Sequence, residues 1–354
     1  MYVVRGGMVH SAIESYDDSD VKPPPFEVVV LFNLIDDPNP VDVDQAGGTP
    51  VQQMRRGLRD LGYNVHVAAV ANDVAGALKD FDPDRHIVFN WCEGLWDDPN
   101  AFDAIPPVLE QHGFVYTGAD SWSLAATQDK ARTKCELVNS AVSTPESHVF
   151  DSPQLNGWDR FPAFVKPAAE HSSHGISKES IVDTPQDLQQ RIEYVLDNFE
   201  GPALVEDFID GPEFNVSLWG NGTLKMLPLT MMDYSMFGDY HDRLCSYDAK
   251  WDPEADIYHF ATVQCPAPVA PELYARIAET ARGAYQALRM RDYGRIDIRV
   301  RDGQPYVLDV NPNPDISRDA GFCRSARVAG YDYGRAIAQV LKFAAERHPK
   351  LKTK

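Results

Sequence analysis

The first third of the chain alternates short apolar runs with segments that have the periodicity of helices. Strands are predicted at residues 27–33 and at the runs NVHVAAV, HIVFN and FVYTG. Helices are predicted at about 50–61, in a short segment after NVHVAAV, and near 101–111. Strands that alternate with helices are typical of a parallel sheet covered on both faces. The pattern therefore predicts an α/β domain, preceded by a loose polar tail that ends in three prolines at 23–25.

After residue 121 the pattern changes to short strands separated by few helices. The first helix carries Asp129, Lys130 and Lys134, and one clear helix is predicted at 184–198. The strand-like runs are FPAFVKP, ISKESIVD, ALVEDFI and EFNVSLWG. Residues 226–266 form a long irregular stretch rich in Tyr, Asp, Met and Trp, and loops of this length are usually functional or disordered. A helix at about 271–290, a hairpin and a final helix complete an α+β half.

The hairpin at residues 294–311 has the clearest alternation in the chain. The apolar even positions are Ile296, Ile298, Val300, Tyr306, Leu308 and Val310. A three-residue loop is predicted at 301–303, with glycine in the left-handed position. An odd loop length pairs odd positions with odd positions, so the polar residues should share one face. The residues of that predicted face are Arg295, Asp297, Asp309 and Asn311.

This polar face allows two interpretations. Two carboxylates and an amide oxygen on a rigid hairpin are hard ligands, which suit Mg²⁺ bridged to phosphates. Alternatively, the face is simply solvated, with Arg295 and Arg299 balancing the acidic charge. The prolines of DVNPNPDIS interrupt the strand directly after Asn311 and fix a rigid loop there, which favours the metal site.

Charge and cysteine content narrow the possible functions. Acidic residues number 53 and basic residues 33, which gives a formal net charge of −20. Such a field repels nucleic acid, although a small phosphorylated cofactor with a divalent metal is compatible with it. Five scattered cysteines without a CxxC pair predict neither a disulfide scaffold nor a zinc site. With no apolar run of membrane-spanning length and no signal peptide, we expect a soluble, cytoplasmic protein.

Common nucleotide and hydrolase motifs are absent, namely the P-loop, GxGxxG after a strand, HExxH and GxSxG. Instead, an ordered set of blocks resembles the ATP-grasp superfamily, and within it the D-alanine–D-alanine ligase-like enzymes. The resemblance runs from about residue 87 to residue 330. The blocks are FNWCEG, VYTGADSWSLAATQDKARTK, STPESHVF, FVKPAAEHSSHGISK, LVEDFIDGPEFNV, GRIDIRV and YVLDVNPNPDIS.

The resemblance implies an ATP-grasp fold, in which two α+β subdomains sandwich ATP beside an N-terminal parallel-sheet domain. It implies a tail at 1–25, a substrate domain at 26–120, a central subdomain at 121–212 and a C-terminal subdomain at 213–354. Implied cofactors are ATP and Mg²⁺, with Mn²⁺ as a substitute. The implied partners are a small-molecule carboxylate, an amine and a second subunit in a homodimer, and they include neither nucleic acid nor a membrane.

The resemblance also assigns the nucleotide site. Lys130 and Lys166 match the phosphate-binding lysines, and residues 170–175 match the loop that covers the phosphates. Glu213 matches the carboxylate that binds the ribose, and Lys250 lies in a loop that closes over the substrates. The implied cofactor-binding residues are Lys130, Lys166, Glu170, Ser172, Ser173, Glu206, Asp207, Phe208, Ile209, Glu213 and Lys250. His171 and His174 depart from the family pattern, and neither is assigned a catalytic role.

The implied metal ligands are Asp297, Asp309 and Asn311, and the implied catalytic residues are Arg295, Lys250 and Ser173. Arg295 matches the arginine that stabilises a tetrahedral oxyanion, although it can equally pair with Asp297 or Asp309. The implied reaction activates a carboxylate as an acyl phosphate, which an amine then attacks.

The acceptor end departs from the family pattern. Asp315 stands where a glycine is typical, and Ala320-Gly321 stands where a serine is typical. The candidate substrate residues are Glu93, Arg318 and Arg324. We therefore expect a carboxylate–amine ligase for other amino acids or a small metabolite. The alternatives are D-alanine–D-alanine ligase itself and, in a different class, a catalytically degraded ATP-binding regulatory protein.

Overall fold

A computed structural model describes residues 24–33, 49–95, 97–98, 101–155, 157–170, 173–234, 236–244 and 262–351. Its first sheet consists of β1 (Glu27–Asn33), β2 (Val65–Val70), β3 (His86–Trp91) and β4 (Val115–Tyr116). The strands are parallel and run in the order β2-β1-β3-β4. The predicted parallel sheet is therefore confirmed.

Helices cover both faces of this sheet, as the sequence pattern predicts. One face packs against α1 (Pro50–Asp60), which begins at the N-cap Thr49 with proline at its first position, a preferred helix start. The other face packs against α2 (Val74–Leu78) and α3 (Ile105–Gln111). A single turn of 3-10 helix precedes α3.

The second sheet is antiparallel. It contains β5 (Ser147–Phe150), β6 (Ala163–Pro167), β7 (Ile181–Val182) and β8 (Ala203–Asp207), in the order β5-β8-β6-β7. The amphipathic helix α6 (Pro185–Asn198) buries its apolar side against this sheet. Two helices, α4 (Ser121–Gln128) and α5 (Lys130–Asn139), precede the sheet in the chain.

The third sheet contains β9 (Glu213–Trp219), β10 (Lys225–Met226), β11 (Thr230–Asp233), β12 (Thr262–Gln264), β13 (Tyr293–Arg301) and β14 (Gln304–Asn311). Its strands follow the path β12-β11-β9-β13-β14, and β10 pairs with β9. The helix α7 (Pro271–Ala287) packs against it and ends slightly earlier than predicted. The predicted irregular stretch 226–266 therefore contains β11 and β12, and residues 245–261 lie outside the described part of the chain.

The hairpin of β13 and β14 corrects the predicted loop. Arg301 pairs with Gln304, so the loop has two residues, and both of them, Asp302 and Gly303, have positive φ (51° and 74°). Positive φ at both positions is the pattern of a type I′ turn, which matches the twist of hairpins. The three-residue loop is therefore wrong.

A β-bulge compensates for the shorter loop. Ile298 pairs with Val307, but Asp297 pairs with Asp309, so Leu308 is an extra residue in β14. Without the bulge, Leu308 would have faced Asp297. The predicted common face of the polar residues is retained. The predicted apolar set is wrong in β14, because Val307 is buried there whereas Tyr306 and Leu308 are only partly buried.

The end of the chain returns to the first sheet. The helices α8 (Gly321–Val328) and α9 (Tyr333–Glu346) join the core on the α1 face, where Gly57 meets Gly334 so closely that a Cβ on either would contact the other backbone. The buried Asp292 accepts a hydrogen bond from the Gly118 amide at 2.9 Å and pairs with Arg347. Within the described residues, no helix is long and apolar enough to cross a membrane.

Candidate active site

The most deeply buried charges of the second sheet form one cluster. Glu206 of β8 pairs with Lys134 of α5 at 2.8 Å and with Lys166 of β6 at 2.9 Å, and none of the three side chains is more than 5% exposed. Buried charges are retained only when they are paired. Burial would raise the pKa of Glu206, but the two lysine charges outweigh that effect and hold its pKa below the usual value.

Lys130, the first residue of α5, joins this cluster to the loop after β6. Its ammonium group donates to the backbone carbonyl of Glu170, and the lysine is buried. Burial lowers the pKa of Lys130, while the negative charge of Asp309 opposes that shift most strongly among its neighbours. Lys130 therefore lies in the electrostatic field of the hairpin. The structure brings Lys130, Lys166 and Glu170 together, and their roles toward ATP stay predictions.

The loop after Glu170 is described only in part, because His171 and Ser172 lie outside the described residues. Ser173 has a positive φ of 65°, a conformation that is uncommon for serine. His174 bonds to the Glu170 carboxylate at 2.8 Å and packs edge-on against Phe199. The roles of the loop toward phosphate therefore stay predictions.

The polar face of the hairpin lies next to this cluster. Asp297 and Asp309 are direct cross-strand partners. Asp297 also accepts hydrogen bonds from Asn215 of β9 at 2.8 Å and from Asn311 at 3.1 Å. Like charges directly opposite one another destabilise a sheet unless a cation screens them. These carboxylate and amide oxygens fit a hard divalent cation.

Arg295 supplies positive charge at this face. Its Nε and Nη2 atoms donate to the two carboxylate oxygens of Asp297 at 2.8 and 2.9 Å, a bidentate pair. The sequence had left open whether Arg295 pairs with an aspartate or serves the reaction. The pair with Asp297 is present in this structure, and Arg295 also lies on the same face as the metal-ligand candidates.

Asp207 and Glu213, two further residues of the implied nucleotide site, also have protein partners. Asp207 accepts two bonds from Arg301, the shorter at 2.6 Å, and Glu213 pairs with the buried Arg299 at 2.9 Å. The Arg299 guanidinium also lies 5.2 Å from the Phe208 ring. Phe208 and Ile209 are buried, at 5% and 1% exposure.

At the acceptor end, the candidates are more exposed and their side chains are held less firmly. Although Glu93 is exposed, desolvation by nearby protein atoms and the charge of Asp315 raise its pKa. Asp315 accepts bonds from the Ser317 amide and hydroxyl at 2.8 and 3.0 Å. Arg318 is exposed, and Arg324 donates to a backbone carbonyl at 3.2 Å.

One position in the proline-containing loop is fixed more firmly. The Asn313 side chain accepts a hydrogen bond from the Ala119 amide at 2.9 Å. A Cβ on Gly118, which has a φ of +86°, would come within 2.2 Å of the same Asn313 oxygen. The loop after Asn311 is therefore attached to the end of β4, as a rigid loop beside the ligands requires.

Glu27, His66 and His86 form a second group with the composition of a metal site, at the amino ends of the parallel strands. One oxygen of Glu27 pairs with Arg85 at 2.7 Å, and the other bonds to His66 at 2.8 Å. The carboxylate is therefore already neutralised by its neighbours, and the group is explained as an ion-paired cluster.

Some site residues were not recognised from the sequence. Lys134 lies one helical turn after Lys130, a spacing that places both on one side of α5 and could have indicated its role. Asn215 lies in the run EFNV, and the local sequence pattern does not show that this strand pairs with the hairpin. The local sequence pattern also does not indicate that Arg299 pairs with Glu213 or that Arg301 pairs with Asp207. Lys250 lies outside the described residues.

Comparison with known proteins identifies the family of this chain. The family model for the D-ala D-ala ligase C-terminus matches residues 139–342, more than half of the chain. The uncharacterized protein y4sG of Sinorhizobium fredii is 32% identical over 268 residues, covering 74% of this chain and 75% of that protein. A D-alanine–D-alanine ligase of Actinobacillus succinogenes is 27% identical over 296 residues, covering 81% and 89% of the two chains.

The fold also has solved relatives. The crystal structure of D-alanine–D-alanine ligase from Bacillus anthracis complexed with ATP matches with a TM-score of 0.66 at 20% identity, over 90% of this chain and 97% of that one. This likeness confirms the predicted mixed α/β fold of the ATP-grasp type. The chain belongs to the D-alanine–D-alanine ligase family, and the resemblance inferred from its motifs is confirmed.

Proposed function

We propose that this chain joins a carboxylic acid to an amine with consumption of ATP, through an acyl phosphate formed at the site described above. It is an ATP-dependent, ADP-forming carbon–nitrogen ligase of the D-alanine–D-alanine ligase-like family. The alternative of a degraded regulatory protein is not favoured. The observation that carries the proposal is the contact between two groups, the buried lysine cluster and the hairpin with the opposed carboxylates. Lys134 lies 3.3 Å from the carbonyl oxygen of Leu308, directly before Asp309, which faces Asp297.

The residues divide the chemistry between them. Lys130 and Lys166 are suited to bind phosphate oxygens, because both are held in the protein interior by acidic or carbonyl partners. Asp297, Asp309 and Asn311 would hold Mg²⁺ or Mn²⁺, which when bound neutralises the charge of the phosphates. Transfer of the γ-phosphoryl group of ATP to the carboxylate yields ADP and an acyl phosphate. The amine then attacks the carbonyl carbon of the acyl phosphate and displaces phosphate, which is a good leaving group.

Arg295 is proposed to stabilise the oxyanion that forms when the amine attacks the acyl phosphate. In the structure its guanidinium group is paired with Asp297. Whether Arg295 pairs with Asp297 or stabilises the oxyanion, its positive charge lies at the same face of the hairpin. Occupation of Asp297 by a divalent cation would weaken this pair, so that the guanidinium becomes available for the oxyanion.

We propose that the substrates are amino acids or a small metabolite other than two D-alanines. The support is Asp315, whose negative charge acts on Glu93 at the acceptor end, where the family typically has a glycine. Two neighbouring carboxylates favour a positively charged group of the substrate and disfavour a carboxylate. Arg318 and Arg324 are the proposed partners for the carboxylate of a substrate, by bidentate hydrogen bonds.

The cytoplasm is the proposed location, because the reaction requires ATP and a divalent cation. A homodimer is proposed from the family resemblance alone. Sedimentation equilibrium of the purified protein tests this assembly, and a molecular mass equal to that of one chain would exclude it.

A screen of carboxylic acids and amines, with phosphate release and product mass recorded, tests the function. We expect ATP turnover only when both substrates are present. Asp297→Asn and Asp309→Asn should each lower turnover by at least about 100-fold, because each removes a charge from the metal site. Asp302→Asn, in the exposed turn of the same hairpin, is the matched control and should retain turnover. Near wild-type rates in both metal-site variants would exclude this metal site.

A further inference from the structure

Lys134 is a buried lysine that none of the roles above uses. Its ammonium group contacts four oxygen atoms from three parts of the fold. It pairs with Glu206 at 2.8 Å and donates to the Thr144 hydroxyl at 2.7 Å. It also lies 3.1 Å from the carbonyl oxygen of Val307 and 3.3 Å from that of Leu308. One side chain thus contacts both the lysine cluster and the strand that carries Asp309.

The two carbonyls are those of the β-bulge. In a regular strand, successive carbonyls point to opposite sides, so one ammonium group would reach only one of them. The bulge at Leu308 makes both accessible, and a bulge leaves backbone groups without partners in the ladder. Lys134 satisfies these carbonyls directly before Asp309. The Thr144 hydroxyl also donates to the Val307 carbonyl, at 2.7 Å.

Through Glu206, Lys134 also acts on Lys166, which is a proposed phosphate-binding lysine. Glu206 lies between Lys134 and Lys166, and it is 2% exposed. Without Lys134, the carboxylate would keep one cation, Lys166, and would hold that lysine more tightly at the expense of any bound phosphate. With both cations present, the cluster retains one net positive charge. Burial of that charge is tolerated because Lys134 has its full set of acceptors.

We propose that Lys134 is a positioning residue that fixes the bulge before Asp309 and, through Glu206, leaves Lys166 available for phosphate. The inference rests on the proposed function, since it assigns Asp309 to the metal and Lys166 to ATP. Ligand-supporting residues of this kind typically change metal affinity by about 10- to 100-fold when they are removed.

Calorimetric titration of ATP into the full-length protein at a series of Mg²⁺ concentrations tests this role. Lys134→Met keeps the length of the side chain and removes its charge. We expect this variant to need at least about tenfold more Mg²⁺ for half-maximal ATP binding, and to bind ATP more weakly at saturating Mg²⁺. Amide hydrogen exchange at residues 306–310 should accelerate as the bulge loses its anchor.

Leu188→Ala is the control for a general loss of stability. Leu188 is fully buried in the apolar core of the second sheet, which carries Lys166 and Glu206, and it has no charge of its own. It should lower the unfolding temperature while leaving the Mg²⁺ dependence of ATP binding within about twofold. Thr144→Val removes one acceptor of Lys134 and one bond to Val307 but leaves the charges and the other three contacts of Lys134, so its effect should be smaller than that of Lys134→Met.

If Lys134→Met does not fold, the double variant Lys134→Met/Glu206→Gln removes one cation and one anion, so the cluster keeps its wild-type net charge. The same shift in Mg²⁺ dependence is expected from the lost bulge anchor. A folded Lys134 variant with the Mg²⁺ dependence and ATP affinity of the wild type would overturn the inference and leave the proposed function intact. Failure of the wild-type protein to bind ATP with Mg²⁺ would overturn both.

Discussion

The nucleotide end and the acceptor end of this site are built in different ways. At the nucleotide end, Lys134, Lys166 and Glu206 are buried, and each is paired at under 3 Å. At the acceptor end, Glu93, Asp315 and Arg318 are exposed. The difference shows which part of the chemistry is built into the core of the fold and which part lies on its surface.

The physical reason for the difference is the cost of burying charge. A buried ion without its partner is strongly unfavourable, so the three residues of the nucleotide end depend on one another. Exposed charges interact weakly because water screens them. Substitutions at the acceptor end therefore change little in stability. We infer that this end is where the substrate preference of the chain can diverge from that of its relatives without loss of the fold.

The largest effect is expected from Glu206→Gln. This change leaves Lys134 and Lys166 buried with like charges and no carboxylate between them. We expect a loss of about 3–5 kcal/mol in the free energy of unfolding, the range for breaking a buried ion pair. Urea denaturation followed by circular dichroism measures it.

The comparison variant is Asp319→Asn at the acceptor end, where Asp319 is 3.9 Å from Arg327 and almost fully exposed. Its expected loss is below about 0.5 kcal/mol. Equal losses in the two variants would contradict the distinction between the two ends.

An intermediate effect is expected at the proposed carboxylate-binding arginines. Arg318→Ala and Arg324→Ala should each raise the KM of one substrate by about 10- to 100-fold, the equivalent of one or two charge-assisted hydrogen bonds. The KM for ATP should stay within about twofold. Arg335→Ala, which removes a partly exposed partner of Asp332, is the control. A parallel rise in the KM for ATP would place these arginines at the nucleotide end instead.

The smallest effect is a pH-dependent gain in stability in Glu93→Gln. The pKa of Glu93 is raised in the folded protein by desolvation and by Asp315, so the ionised form disfavours folding. The wild type should therefore lose stability as pH rises from the ordinary carboxyl value, about 4.3, through the raised pKa. Glu93→Gln should have a higher unfolding temperature than the wild type at pH 7 and an equal one at pH 4.

The pKa of Glu206 is shifted in the opposite direction to that of Glu93. Its pKa is lowered, so its contribution to stability is present above the ordinary carboxyl value and is lost as pH falls through the folded value. Thermal melts of the two glutamine variants between pH 3 and pH 8 should therefore diverge at neutral pH. A Glu93→Gln variant that is less stable than the wild type at pH 7 would contradict a raised pKa of Glu93 in the folded protein.

The sequence predicted much of the architecture because local patterns carry it. Alternation of strands and helices gave the parallel sheet, and Thr49 with Pro50 marks the start of a helix as expected. In the hairpin, the polar face was predicted correctly but for an incorrect reason. Alternation indicates which side chains share a face, whereas the turn type and the bulge at Leu308 also depend on the twist of the strands and on packing.

By itself, the sequence determined most of the elements and the family, and it supplied the candidate site residues. Only the tertiary structure decided which residue each charged side chain pairs with. Lys134 and Glu206 are far apart in the chain, as are Asp207 and Arg301, and Asp292 reaches Gly118 across the fold. Such contacts leave no periodic signal, because they depend on how whole sheets and helices pack. Burial makes the pairing of Lys134 with Glu206 and the contacts of Asp292 obligatory, since a charge in the protein interior requires a partner.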